Sequence, residues 1–164
     1  SYIGYSLAGH LGEITLKGII YTVLAMIMGY LFLGGFPKIN ILSILAIILT
    51  SIIAIVISDL IIITIGLLSF KIQDSGPIYW VYSKLILVLG TIFPIEYFPK
   101  NIQPFLNYSP IYVTTYGPAK LFVNFDTKLF LNILIFQIIY LILVSTICTL
   151  LYRKGVKNLN VNGG

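Results

Sequence analysis

Apolar residues fill most of the chain in blocks too long for the core of a soluble domain, separated by short polar or glycine–proline breaks. The first clear block covers 18–36 and is closed by Gly34, Gly35 and Pro37, residues that stop a helix. The next runs from Ile39 to Phe70, 32 residues with no Gly or Pro before Gly66. Two membrane crossings need about 20 residues each plus a turn. The pattern therefore predicts one long, tilted span at 41–70, within a run about 48 Å long at ~1.5 Å per residue from 39 to 70. A polar turn, "KIQDSGP", leads into Tyr79, Trp80 and Tyr82, aromatics that favour the headgroup region. A third, short span follows at 78–93, with Lys84 placed to snorkel to the nearer surface. The last span is 129–152. Residues 1–17 place Ile3, Leu7, Leu11 and Ile14 at helical spacing, which fits an interfacial helix on the membrane surface or an extension of the first span.

One stretch breaks the pattern. "GTIFPIEYFPKNIQPFLNYSP", residues 90–110, carries Pro94, Pro99, Pro104 and Pro110. Taken with residues 111–128, it is too apolar for a solvated loop. It is also too interrupted to span, because each proline lacks an N–H and disrupts the preceding turn. Non-helical backbone at membrane depth is tolerated only against protein or a cavity. The segment 94–128 is therefore read as a re-entrant element, with short helices near 100–108 and 112–125. It is either an outer gate built on Pro94, Glu96, Pro99, Pro104 and Pro110, or a peripheral loop packed on the spans.

Composition agrees with the class. Hydrophobic residues make up 59% of the 164 positions and charged residues 9%, against about a quarter charged in soluble domains. The fold class expected is an all-α integral membrane protein of about four transmembrane helices plus the outer re-entrant element. The net charge of +5 comes from cations scattered between spans, which argues topology rather than nucleic acid. Arg153, Lys154 and Lys157 place the C-terminus in the cytoplasm. Four spans then put Lys17 and Lys71 on that side, with Lys38, Lys100, Lys120 and Lys128 outside. The chain begins at Ser1 inside a patterned segment and reads as the C-terminal fragment of a longer protein.

Candidate chemistry is sparse. The sequence has one His, one Cys (Cys148, inside an apolar run) and five separated acidic residues. These offer no metal cluster and no nucleophile–base pair, so neither catalytic nor metal residues are expected. No G-x-x-x-x-G-K-[ST] loop occurs, so the chain holds no ATP itself. Asp59 lies well inside the long span, and an intramembrane carboxylate suggests function by default. It either lines a translocation path or makes an interhelical polar contact, and Gln137 and Asn132 of the last span face the same choice. Glu96 is either a solvated outer charge or the i, i+4 partner of Lys100.

Residues 90–122, the last apolar span and the ending "YRKGVKNLNVNGG" together resemble the bacterial permease subunit of an ABC transporter of the type-2 exporter class. The similarity is carried by Gly90, Phe93, Pro94, Phe98, Pro99, Pro104, Phe105, Ser109 and Pro110. It implies a permease that pairs with a second permease subunit, homo- or heterodimeric, and with P-loop ATPase subunits carrying ATP–Mg. It also implies export across the bacterial cytoplasmic membrane, with outer re-entrant helices between the last two spans. The same resemblance makes the longer protein a permease with earlier spans and most of its coupling segment before Ser1. From the residues alone, a proton- or cation-coupled secondary transporter using Asp59 and a non-transporting membrane scaffold also stand.

Overall fold

The computed structural model describes residue 12, residues 18–20, 23–24 and 26–32, and everything from 40 to 162. Apart from Gly12, the interfacial segment expected at 1–17 lies outside the described residues, as does the glycine–proline stop at 33–39. The described parts of 18–32 are helical.

After Asn40, extended at φ −86° and ψ 155°, α1 runs Ile41–Leu67. The short helix α2, Ser69–Ile72, continues it to the polar turn. Gln73 reverses the chain at φ 63°, and Asp74 Oδ1 accepts the Gly76 N–H at 2.8 Å, an Asx turn of the kind polar turn residues favour. Pro77 sits in the first turn of α3, Gly76–Leu85, where its missing N–H costs nothing. A π segment, Ile86–Ile92, carries the axis on. The final helix, α7, covers Thr127–Asn162, ten residues past the expected end at 152. Its apolar part, Thr127–Gly155, and Ile41–Ile72 are two helices long and apolar enough to cross a membrane, while Gly76–Ile92 is apolar but shorter.

The segment 94–126 folds as a 3-10 turn at Ile95–Tyr97 and three short helices: α4 (Gln103–Asn107), α5 (Pro110–Thr114) and α6 (Tyr116–Val123). A single helix was expected over 112–125. It splits because Pro118 has no N–H to donate and its ring crowds the carbonyl of Thr114. The chain kinks at Thr115, at φ −126° and ψ −80°.

α1 and α7 pack side by side in parallel, Thr50 level with Gln137 and Phe70 with Gly155, and carry a core cluster at each end. Ile95, Tyr112, Val113, Leu121 and Ile133 bury themselves where the short helices cap the pair. Leu60, Leu67, Val144 and Cys148 form the other cluster. The remaining surface of both long helices is apolar and outward-facing, with Leu42, Leu45, Ile48, Ile52, Ile135 and Ile142 among the exposed residues. Among the described residues the fold is all-helical, and its greasy exterior suits lipid as solvent.

Candidate functional site

The capping segment 93–126 concentrates the polar contacts of the described structure. Each expected proline has a local use there. Pro94 precedes the 3-10 turn, and the Pro99 carbonyl starts a turn by accepting Ile102 N–H at 2.9 Å. Pro104 and Pro110 stand in the first turns of α4 and α5. Ser109 caps α5, its Oγ accepting the Tyr112 N–H at 3.1 Å, which satisfies one of the donors a helix start leaves open. Proline and cap together explain how a five-residue helix persists here.

Gln137 fastens the cap to the pair. Its side chain is completely buried, and Nε2 donates to the Val113 carbonyl at 2.8 Å and the Thr50 carbonyl at 2.9 Å. Val113 lies in the last turn of α5, where carbonyls lose their helical partners. One amide from α7 thus joins α1 and α5. Tyr140, one turn on, donates its hydroxyl to the Tyr108 carbonyl at 2.7 Å, and Tyr108 stacks on Phe136 at 4.7 Å. The fastener for the expected inter-helix contact is therefore an amide to backbone carbonyls. Asn132 is half-buried on the same helix.

Glu96 corrects an expectation. Its carboxylate is solvated, the side chain being 54% exposed, and its partner is Lys120 and not Lys100. Oε1 accepts from Lys120 Nζ at 2.5 Å and Oε2 from the Tyr116 hydroxyl at 2.8 Å, and the Lys120 ammonium also lies 5.7 Å from the Tyr116 ring centroid. The 3-10 turn is thereby tied to α6, 24 residues away. The hydrogen bond from Lys120 is the largest cause holding the Glu96 carboxyl down at about 2. Burial, followed by the carboxylate's hydrogen bond, pushes the Tyr116 phenol up to about 12.

Gly90 marks a close approach. A methyl group there would collide with Thr115 Oγ1 and crowd the Ile111 side chain. Thr115 Oγ1 is itself held by donation to the Ile111 carbonyl at 2.5 Å. The π segment and the kink between α5 and α6 therefore meet through a glycine.

Asp59 is not part of this assembly. It is 3% exposed and stands nine residues beyond Thr50 on α1, roughly 14 Å along the axis, beside Leu60 of the second cluster. Lys84 lies 5.6 Å from the Trp80 ring centroid. Among the described residues no group of three or more His, Cys, Asp or Glu is placed to hold a metal ion.

Sequence reasoning singled out the prolines, Glu96, Gln137 and Asp59, of which all but Asp59 lie in or against the cap. It missed Lys120, Tyr116, Thr115 and Pro118 as working residues. Pro118 carried a readable signal, since it sits seven residues into the helix expected at 112–125.

No curated protein and no solved structure matches the chain. A family model described as ABC-2 family transporter protein matches residues 8–163, nearly the whole length. That match takes in both long apolar helices and the cap between them, and the chain belongs to the ABC-2 family of transporter proteins.

Proposed function

We propose that this chain is the membrane permease subunit of an ATP-driven exporter, and that the cap 93–126 is its outer gate. Family membership makes it a membrane protein of an ABC transporter and implies association with an ATPase subunit. In this reading a second permease subunit completes the translocation path, and P-loop ATPases carrying ATP–Mg drive it from the cytoplasmic side. Four spans at 18–36, 41–70, 78–93 and 129–152 put the C-terminus in the cytoplasm of a bacterium. The re-entrant element 94–128 then lies outside.

The observation that carries the gate is the way the cap is built. It is a 3-10 turn and three short helices, and a few side-chain hydrogen bonds fasten them to two long helices. Rigid spans cannot reopen locally, whereas pieces hinged at Thr115 and at the π segment exchange contacts without unravelling a span. Gating elements belong to this low-stability class. ATP-dependent movement at the cytoplasmic ends of α1 and α7 would reach the cap through Thr50, Gln137 and Val113.

The test is purification of the full-length protein from its native membrane, with mass spectrometry of its partners. Co-purification of a P-loop ATPase in comparable amount supports the exporter. Isolation of the protein alone or only with itself sinks it, and transport lost on Asp59→Asn without ATPase coupling would then support an ion-coupled carrier.

A further inference from the structure

We propose that the groove beside the π segment is a binding site for one hydrocarbon chain of a resident membrane lipid. Among the described residues it is lined by Val88, Phe93, Tyr97 and Phe98, and its volume is about 320 Å³. Small-molecule sites span roughly 300 to 1,000 Å³, so the groove is large enough for a narrow ligand. Phe93 and Phe98 meet edge to face, with centroids 6.5 Å apart and planes at 85°. This geometry fixes aromatic side chains against each other and makes the wall a built surface.

The occupant's chemistry follows from the hydrogen bonds around the rim. An irregular turn normally leaves backbone donors and acceptors for a ligand to use. Here the Phe93 N–H donates to the Val88 carbonyl at 3.2 Å, Tyr97 N–H to Pro94 at 3.0 Å, and Phe98 N–H to Ile95 at 3.0 Å. Pro94 and Pro99 have no N–H. Gln103 Nε2 donates to the Phe98 carbonyl at 2.8 Å and reaches that of Glu96 at 3.4 Å. The Glu96 carboxylate is taken by Lys120 and Tyr116. These groups are engaged, and the lining that remains is chiefly the side chains of Val88, Phe93 and Phe98, which a hydrocarbon chain covers without forfeiting a hydrogen bond.

The mouth points to the source. Leu85, Leu87, Val88 and Ile92 are exposed on the apolar helix Gly76–Ile92, and Phe93 is exposed just past its end, so the groove continues the surface this membrane protein turns toward the bilayer. A lipid chain enters sideways from that surface. Tyr97, 81% exposed at the rim, is the kind of ring that sits at headgroup level. The site depends on the membrane location and not on the export reading, since a resident lipid would occupy it whatever the cargo.

The experiment uses the full-length protein in lipid vesicles, with Phe98→Trp in a background free of other tryptophans. Lipids brominated along their acyl chains serve as contact quenchers. The expected result is loss of about half the probe's emission, because a chain in the groove lies against the indole, with little loss to aqueous iodide. Val88→Phe, which fills the groove, should restore most of that emission. In a parallel protein with Trp80 as sole probe, Val88→Phe should leave bromolipid quenching unchanged. Phe93→Trp reports on the same groove if Phe98→Trp does not fold. Quenching by iodide instead of bromolipid would make the groove aqueous and overturn the proposal. No quenching by either would mean a protein segment or partner covers it, which also overturns it. Bromolipid quenching indifferent to Val88→Phe would reduce the contact to ordinary boundary lipid, and the proposal would fall on that result too.

Discussion

Where α1 and α7 meet the cap, side-chain hydrogen bonds close the pair: Gln137 to Val113 and Thr50, Tyr140 to Tyr108, Glu96 to Lys120 and Tyr116. At the opposite end, Leu60, Leu67, Val144 and Cys148 close it by apolar contact, and Gly155 lets α7 approach the Phe70 ring. The difference follows from the backbone each end contains. A continuous helix satisfies its own N–H and C=O groups, so two helices need only shape to associate in lipid. A chain broken at Pro94, Pro99, Pro104, Pro110 and Pro118 leaves carbonyls over, and side chains must reach them. Polar fasteners therefore mark the end where the fold is irregular, the end proposed as the gate.

Two glycines, one at each end, should respond most differently. Gly90→Ala should destabilise by about 1–3 kcal/mol, the usual cost of overpacking, because Thr115 and Ile111 are held in place. Melting in detergent measures it, and Thr115→Ala in the same chain should recover part of the loss. Gly155→Ala meets a ring on a residue 43% exposed, free to swing outward. Its cost should stay below about 1 kcal/mol, the lower end of the overpacking range. Equal effects at the two glycines would erase the distinction between the ends.

Gln137→Leu should cost about 1–3 kcal/mol, since it leaves a buried Val113 carbonyl without its donor. Interhelical bonds in membranes average only about 0.6 kcal/mol, so a result near that figure would mean the cap re-satisfies itself. Hydrogen exchange should show the loss at 110–123 and not at 60–67.

The smallest effect belongs to Glu96. Lys120 and Glu96 side chains are 40% and 54% exposed, and solvent screening keeps such pairs at about 0.2–1 kcal/mol. The Glu96 carboxyl falls from 4.5 to about 2 in the fold. A depressed acid stabilises above its unfolded value and loses that contribution as pH falls through the folded one. The stability gap between wild type and Glu96→Gln should therefore be full above pH 4.5 and close toward pH 2.

Much of this was legible in the residues. The unbroken run from Ile41 could only be one long helix, and the prolines announced a broken segment at 94–110. The kink at Thr115 was missed because the effect of Pro118 falls four residues upstream, inside the helix expected at 112–125. The Glu96–Lys120 pair joins residues 24 apart with no shared period, so only the folded cap brings them together. The i+4 alternative, Lys100, is not the partner, while the solvated reading of Glu96 agrees with its 54% exposure. Gln137 stood out as an amide in a run of Ile and Phe, but its partners are backbone carbonyls, which no side-chain pattern encodes.

An outer gate must face away from the cytoplasm and must move with ATP. Lys100, exposed beside Pro99, reports on both. A Lys100→Cys variant of the full-length protein, otherwise free of cysteine, would be assembled with its ATPase and treated with a membrane-impermeant maleimide. Labelling should come from the outer side, at a rate that changes when ATP–Mg is added from within. Labelling only from the cytoplasmic side, or an outer rate indifferent to ATP–Mg, would rule the gate out.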